Sequence, residues 1–293
     1  MPVRDVSSTE RGFMIGDLIF DLGMNNGNDT HFYLNKGFRV VAVEPNPSLC
    51  EQARQRFSPE IKSGRLQIIN KAIAKVTGEI EFFLNDQVTG WSTSTLEWLK
   101  ARNREGAISR PVIVRAVTFQ EILTEYGIPY YVKVDIQGGE LLCLEALLDF
   151  SDRPRNISIS SGSEAAGKHA YHHIKSGFEL FSRLGYRRFK IVPQQHTELQ
   201  KCPFPSREGS YVEYRFPHGS SGLFGNELPG DWMNASQAWS EYRKIIISHK
   251  FAGNTRSPDG LFRNLPSKTI KYYLDRLFWR GVEWYDTHAI LDD

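Results

Sequence analysis

Two acidic residues and two glycines near the start of the chain have the types and the spacing of a ligand-binding turn. Asp21 ends a short apolar run, Gly23 and Gly27 follow it, and Glu44 ends a second apolar run at 40–43. Glycine has no Cβ atom, so the backbone can approach a ligand closely there. A carboxylate at the end of the second strand of a βαβ unit can accept hydrogen bonds from both hydroxyls of a ribose. These residues predict a pocket for an adenosine-containing ligand.

The glycine spacing favours a cofactor without phosphates. The turn Asp21-x-Gly23-x-x-x-Gly27 lacks the third glycine of the dinucleotide fingerprint, and no cluster of backbone amides is evident for a pyrophosphate. S-adenosylmethionine combines adenosine with an amino-acid tail and a sulfonium cation. We predict that Asp21 contacts the ammonium group of that tail and that Asn70 and Ala72 lie beside the adenine. The other predicted cofactor contacts are Asn25, Pro45, Asn46, Ser92 and Asp135.

Alternating strands and helices are needed to bring these residues together. We predict strands at 18–22, 39–44 and 66–69. A helix at 28–36 separates the first two strands, and a helix at 47–57 separates the second from the third. Such alternation is typical of an α/β fold with a mainly parallel sheet that is covered on both faces. Further strands are predicted at 80–84, 112–117, 130–136, 157–160, 187–192 and 210–216.

The composition is that of an ordinary globular protein of 293 residues, with 40% hydrophobic residues and a net charge of +2. The balanced charge argues against nucleic acid as a partner. No apolar run is long enough to span a membrane, and the first ten residues lack a signal-peptide core. Three widely spaced cysteines form no metal-binding pattern, and their odd number argues against a disulfide framework. We therefore expect a cytoplasmic protein without a metal site, whose oligomeric state stays open.

The character of the chain changes after residue 216. Turns rich in Gly, Ser and Pro occupy 217–230 and 253–260. We predict an S-adenosylmethionine-binding domain over residues 1–216 and a helical, aromatic-rich C-terminal appendage or lid over residues 217–293. Four of the six tryptophans lie in this second part, namely Trp232, Trp239, Trp279 and Trp284.

Three residues further along the chain could act on an acceptor molecule. Asp135 ends a central strand, where open α/β sheets bind ligands. It could orient the acceptor or take its proton, or it could only cap the following helix. His172 and His173 follow the predicted strand at 157–160, in a segment expected above the same edge of the sheet. Either could be a general base, and either could equally be an exposed polar residue.

Four short motifs, taken in order, resemble the FkbM-type S-adenosylmethionine-dependent methyltransferases. The resemblance covers about residues 17–216. It implies a Rossmann-like seven-strand methyltransferase sheet, mostly parallel with an antiparallel last strand. It also implies O-methylation of a hydroxyl on a saccharide or natural product. The motifs are Asp21-Leu22-Gly23-x-Asn25-x-Gly27, Val43-Glu44-Pro45-Asn46, Asn70-Lys71-Ala72-Ile73 and Lys133-Val134-Asp135-Ile136-x-Gly138-x-Glu140.

Two positions depart from the pattern of that family. Gln137 stands where the family has Glu, and Ser160 ends a strand where an acid is expected. Loss of two carboxylates could weaken catalysis, change the acceptor or remove an ion site. The main hypothesis is an S-adenosylmethionine-dependent O-methyltransferase with a small hydroxylated acceptor. The alternative is a regulatory module that binds the cofactor with reduced or lost turnover, and the missing glycine disfavours a third possibility, an NAD-dependent oxidoreductase.

Overall fold

A computed structural model describes residues 14–104, 106, 108–161, 168–195, 197–252 and 284–292. Its ten strands are β1 (Met14–Leu22), β2 (Arg39–Val43), β3 (Leu66–Ile69), β4 (Ala72–Ile73), β5 (Gly78–Leu84), β6 (Arg110–Val117), β7 (Ile128–Val134), β8 (Asn156–Ser160), β9 (Arg188–Pro193) and β10 (Tyr285–Ile290). Seven of them form one sheet in the order β3-β2-β1-β7-β8-β10-β9, and β4-β6-β5 form a second, smaller sheet. In the large sheet only β10 runs antiparallel to its neighbours. The predicted α/β class, with an antiparallel last strand, is therefore confirmed.

Helices cover both faces of the large sheet. They are α1 (Asn28–Asn35), α2 (Pro47–Arg56), α3 (Ser58–Lys62), α4 (Leu96–Arg104), α5 (Phe119–Tyr126), α6 (Glu140–Leu147), α7 (Lys168–Arg183) and α8 (Ala235–Ala252). One apolar core joins the sheet to α5, α6 and α7, and the other joins it to α1, α2 and the segment 216–228. Burial on both faces explains why the central strands are nearly continuous apolar runs.

Local sequence signals set the ends of the first two helices. Gly37 follows the last turn of α1 with φ 90°, the left-handed conformation that favours glycine after a helix. The Asn46 side chain accepts a hydrogen bond from the Ser48 backbone N–H, and Pro47 occupies the first helical position of α2. The residue types alone favour both features, which together fix the loops on either side of Glu44.

The predicted strand at 210–216 is wrong. Residues 211–217 belong to no strand, and the last described strand of the sheet is instead β10, at residues 285–290. Tyr214 and Phe216 do alternate with exposed residues, but their rings pack on Phe32 of α1 at centroid distances of 5.0 and 4.7 Å. The alternation thus reflects packing against a helix rather than a place in the sheet.

The segment after residue 216 contributes to both the sheet and its cover. The long helix α8 packs on the sheet through Ala238, and β10 lies between β8 and β9. The division of the chain at residue 216 stays a prediction. The predicted turn at 253–260, Trp279 and the first ten residues lie outside the described residues. None of the described helices combines the length and the apolar character that crossing a membrane requires.

Candidate active site

The loop after β1 is packed directly against the end of β7. Gly23 has φ 85°, and a Cβ atom built on it would lie 1.9 Å from the Asp135 carbonyl oxygen. The Gly23 and Met24 backbone N–H groups both donate to the Val43 carbonyl, at 2.9 and 3.0 Å. Only glycine allows this approach, which brings the carboxyl ends of β1, β2 and β7 together.

Glu44 is the buried carboxylate at the end of β2. One of its oxygens accepts a hydrogen bond from the Asn25 backbone N–H at 2.9 Å, and the other accepts one from the Asn46 N–H at 2.8 Å. Burial raises the pKa of Glu44 to about 7, although these two hydrogen bonds oppose the rise. A carboxylate has about four lone-pair sites, so each oxygen can still accept one further hydrogen bond.

Asn70 holds the loop that contains Glu44. Its side-chain amide donates to the carbonyls of Glu44 and Pro45, at 2.9 and 3.0 Å. Asn46 serves mainly as the helix cap described above. Both predicted contact residues therefore position the loop around Glu44 from outside the cavity.

Asp21 is fully enclosed by polar partners. Its two oxygens accept hydrogen bonds from Lys133 Nζ at 2.9 Å and Thr30 Oγ1 at 2.6 Å. Lys133 also lies 3.4 Å from the Asp29 carboxylate. Burial alone would lower the pKa of Lys133, but the carboxylates of Asp21 and Asp29 outweigh it and leave that pKa well above its ordinary value. Asp21 and Lys133 thus form a buried ion pair beneath the loop after β1.

Asp135 lies at the carboxyl end of β7 beside an unusual loop. Gln137 adopts φ 56°, and its side-chain amide donates to Asp135 Oδ1 at 2.6 Å. The Gln137 carbonyl accepts a hydrogen bond from Thr93 Oγ1 at 2.7 Å. Glu140 turns toward the same loop and accepts from the Gly138 N–H, and burial raises the pKa of Glu140 to about 7. The Gln137 side chain thus holds one oxygen of Asp135, while Glu140 binds the backbone of the same loop.

A small cavity of about 60 Å³ lies between these loops. Its polar wall includes Glu44, Asp135 and Gln137, and the 3₁₀ turn at Thr89–Trp91 covers it. The Thr89 hydroxyl joins this turn to the loop after β1 by donating a hydrogen bond to Asn25 Oδ1 at 2.7 Å. Seven of the predicted site residues line this cavity, namely Gly23, Asn25, Glu44, Pro45, Ala72, Ser92 and Asp135.

The remaining predicted residues lie outside the cavity wall. Asp21 and Gly27 lie behind it, and a Cβ atom on Gly27 would meet the Phe57 ring at 2.8 Å. His173 lies on α7 with Nε2 3.8 Å from a Glu140 oxygen, and burial lowers its pKa. His172 is exposed on the same helix. The roles predicted for these residues stay predictions.

Asp286 is a buried carboxyl that sequence reasoning missed. It pairs with Ser160 across β8 and β10, and Ser158 pairs with Lys133, so Ser160 lies between Asp286 and Asp135 along one edge of the sheet. Burial raises the pKa of Asp286 well above its ordinary value, and the carboxylate of Asp135 adds to the rise. All six residues of β10 are buried, and its polar residues Asp286, Thr287 and His288 follow one another, so no alternating pattern marks this segment as a strand.

No group of three or more His, Cys, Asp or Glu side chains is arranged to hold a metal within the part of the chain that the structure describes. The described cysteines form no disulfide bond. Cys50 and Cys143 are buried, and Cys202 is partly buried.

Comparison with known proteins identifies a family. A family model for the methyltransferase FkbM domain matches residues 21–188. No curated protein matches the chain significantly. Similar solved structures include precorrin-6y C5,15-methyltransferase from Geobacter metallireducens GS-15 (10% identity, 97% of this chain and 85% of that chain, TM-score 0.37). Another is geranyl diphosphate C-methyltransferase from Streptomyces coelicolor A3(2), in complex with Mg2+, geranyl diphosphate and S-adenosyl-L-homocysteine (7% identity, 97% of this chain and 76% of that chain, TM-score 0.38).

Likenesses this distant carry no information about substrate. The FkbM match is different, because it covers more than half of the chain and contains the loops after β1, β2, β3 and β7 that surround the cavity. The chain therefore belongs to the FkbM-domain family of methyltransferases.

Proposed function

We propose that this protein transfers a methyl group from S-adenosylmethionine to a hydroxyl of a small acceptor, a saccharide or natural product. The single observation that supports it most is the Glu44 carboxylate. Each of its oxygens already accepts one backbone hydrogen bond and can accept one more, which matches the two neighbouring hydroxyls of a ribose. Family membership supports methyl transfer, while the acceptor class rests on the motif resemblance.

The walls of the cavity suit the two ends of such a cofactor. Ala72, Ile73 and Phe82 form an apolar side that suits an adenine ring. Asn25, with the hydroxyls of Ser92 and Ser94, forms a polar side that suits an amino-acid tail. Both oxygens of Asp21 already have partners, so its contact with the ammonium group would need one of its remaining lone pairs.

The cavity must enlarge before it can admit the cofactor. Its volume of about 60 Å³ is well below the roughly 300–1,000 Å³ of ligand pockets. The segment 85–95 is held in place by the hydrogen bonds from Thr89 to Asn25 and from Thr93 to Gln137. We therefore propose that this segment moves away from Asn25 on binding. Hydrogen exchange in 85–95 should change when S-adenosylhomocysteine is added, and unchanged exchange at saturation would exclude the movement.

When bound, the cofactor supplies an electrophilic methyl group on a sulfonium. The protein must then hold the acceptor oxygen about 3 Å from that carbon and in line with the leaving sulfur. We propose that the free oxygen of Asp135 orients the acceptor hydroxyl and takes its proton. Gln137 fixes the Asp135 carboxylate in one orientation through its 2.6 Å hydrogen bond.

The Gln137 contact also keeps the alternative function open. The hydrogen bond from Gln137 occupies one oxygen of Asp135, and a glutamine cannot act as an acid or base where the family pattern has a glutamate. This observation favours a cofactor-binding module with reduced turnover. The Gln137→Glu/Ser160→Glu double variant separates the two functions, because a module should gain turnover of a methyl acceptor that the wild type lacks.

The direct test of the proposed function has two parts. Calorimetry with S-adenosylhomocysteine and, in parallel, NAD should detect binding of the first alone. Incubation with methyl-labelled S-adenosylmethionine and a panel of saccharides and hydroxylated natural products should then transfer label to an alcohol oxygen. Absence of S-adenosylhomocysteine binding would refute the cofactor assignment, and label on carbon or nitrogen would refute O-methylation.

A further inference from the structure

A second, larger cavity lies at the other end of the sheet. Its volume is about 1,000 Å³, and none of its lining residues belongs to the cavity beside Glu44. Lys190 of β9 forms its floor, and the segments 199–207 and 223–232 form its walls. We call it the β9 cavity. A volume of this size accommodates a ligand of two or three sugar rings.

Strand register separates this cavity from the candidate active site. Lys190 pairs with His288, His288 with Ser158, and Ser158 with Lys133. Neighbouring strands lie about 4.8 Å apart, which places Lys190 roughly 14 Å from Lys133 across the sheet. A ligand in the β9 cavity is therefore a separate ligand, or a part of a long ligand remote from Asp135.

Lys190 is a buried cation without a carboxylate partner. Its side chain donates to the Leu228 carbonyl at 2.6 Å and lies 4.6 Å from the centre of the Trp232 ring. Among the described residues no carboxylate lies within salt-bridge distance of it. Burial lowers the pKa of Lys190 to about 8, and the nearby charge of Asp231 opposes this only in part. A buried ammonium with neutral partners is costly, and a bound anion would offset that cost.

The other charges around the β9 cavity leave it positive. Lys201 and Arg207 are exposed at its rim. The Glu227 carboxylate is taken by Lys36 at 2.7 Å, with both side chains fully buried. Among the described residues that line the cavity, Asp231 is then the acid that remains to balance three cations. These are Lys190, Lys201 and Arg207. Lys190 lies on the floor of the cavity, whereas Lys201 and Arg207 both belong to the wall segment 199–207.

The rest of the lining suits a ring-shaped polar molecule. Trp232 is half-buried, and indole faces pack well against sugar rings. Gln200 uses its side-chain oxygen to accept the Leu223 N–H at 2.7 Å, which leaves its amide hydrogens for a ligand. Asn226 offers a second amide on the opposite wall. Dispersed positive charge, two amides and an indole match a ligand that has hydroxyls and more than one anionic group.

We propose that the β9 cavity binds an acidic saccharide, whose carboxylate or sulfate groups pair with Lys190, Lys201 and Arg207 while one ring packs on Trp232. The proposal does not depend on methyl transfer. It follows from the positive, partly aromatic lining and from the position of the cavity away from Asp135.

The test is a titration of the full chain with a disulfated disaccharide and with the same disaccharide after desulfation, followed by calorimetry and by tryptophan fluorescence. We expect the sulfated form to bind at least tenfold more tightly, with an affinity that falls as salt is raised. The Lys201→Ala/Arg207→Ala variant should lose at least tenfold in affinity. The Lys75→Ala/Arg243→Ala variant removes the same charge from exposed positions outside the cavity and should bind as the wild type does.

Any one of several results would overturn the proposal. They are equal binding of the two disaccharides, equal losses in the two double variants, and no binding at millimolar concentration. Tight binding of a nucleoside monophosphate in place of the saccharide would also overturn it, because it would assign the cavity to another ligand. Binding of S-adenosylhomocysteine should be the same in every variant, so failure here leaves the proposed methyl transfer intact.

Discussion

The pKa of Glu44 makes cofactor binding depend on pH near neutrality. Burial raises that pKa to about 7 in the free protein. Hydroxyls that donate to the carboxylate favour its charged form, so binding lowers the pKa and releases a proton. The affinity should therefore rise as pH rises through about 7. At pH 6 about one molecule in eleven is charged, and at pH 8 about ten in eleven, which makes binding about tenfold weaker at pH 6.

The Glu44→Gln variant removes this dependence, because glutamine does not titrate. It retains an oxygen for one backbone N–H but loses the charge that strengthens the ribose hydrogen bonds. We expect it to bind about 10- to 100-fold more weakly than the wild type at pH 8, since hydrogen bonds to charged groups are worth about 1.5–3 kcal/mol.

Calorimetry with S-adenosylhomocysteine at pH 6, 7 and 8 measures both effects. Repeating it at pH 7 in buffers with different ionisation enthalpies counts the released proton. The exposed Glu51→Gln on α2 is the matched control and should behave as the wild type. If Glu44→Gln binds like the wild type at pH 8, or keeps the same ratio of affinities between pH 8 and pH 6, Glu44 does not hold the ribose.

Three further predictions concern single side chains. Burial lowers the pKa of His288 to about 3, so protonation of this residue in the unfolded chain should contribute a loss of about 2 kcal/mol of stability between pH 7 and pH 5; denaturant unfolding at both pH values should show that the change in stability from pH 7 to pH 5 is at least 1 kcal/mol more favourable in His288→Asn than in the wild type, and equal changes would contradict the assignment. Gly23→Ala should lower the free energy of unfolding by at least about 2 kcal/mol more than Gly64→Ala, which has a similar φ of 76° but open space around it; similar losses would exclude the clash with Asp135. Asp135→Asn should reduce turnover at least a hundredfold with little change in S-adenosylhomocysteine affinity, whereas equal losses in both would make Asp135 a cofactor contact.

Much of the lining of the candidate site could be predicted because its residues follow one another along the chain. The loop after β1, Glu44 after β2 and Ala72 after β3 belong to consecutive parallel strands, whose carboxyl ends meet at one edge. The helix caps at Gly37 and Asn46 are also local, since they depend on the conformation of one or two residues. Seven of the residues predicted to contact the cofactor therefore line one cavity, and their role in binding stays a prediction.

The part of the same sheet edge beside Asp135 was harder to predict because its residues come from distant parts of the chain. Asp286 reaches the edge beside Ser160 only because β10 enters the sheet between β8 and β9. The segment 210–216, in contrast, alternates between exposed and more buried residues as a strand does, yet it packs on α1. Alternation reports that one face is buried, and it does not identify the surface against which that face is buried.

The sequence by itself determined the fold class, the family motifs and the run of loops that carries Glu44 and Asp135. Only the tertiary structure decided that Lys133, 112 residues away, pairs with Asp21. It also decided that the turn at Thr89–Trp91 leaves a cavity of about 60 Å³ and that Lys190 lies buried with no carboxylate of the described residues within salt-bridge distance. The physical reason is that turns and helix ends depend on neighbouring residues, whereas burial and charge pairing depend on segments that meet only in the folded chain.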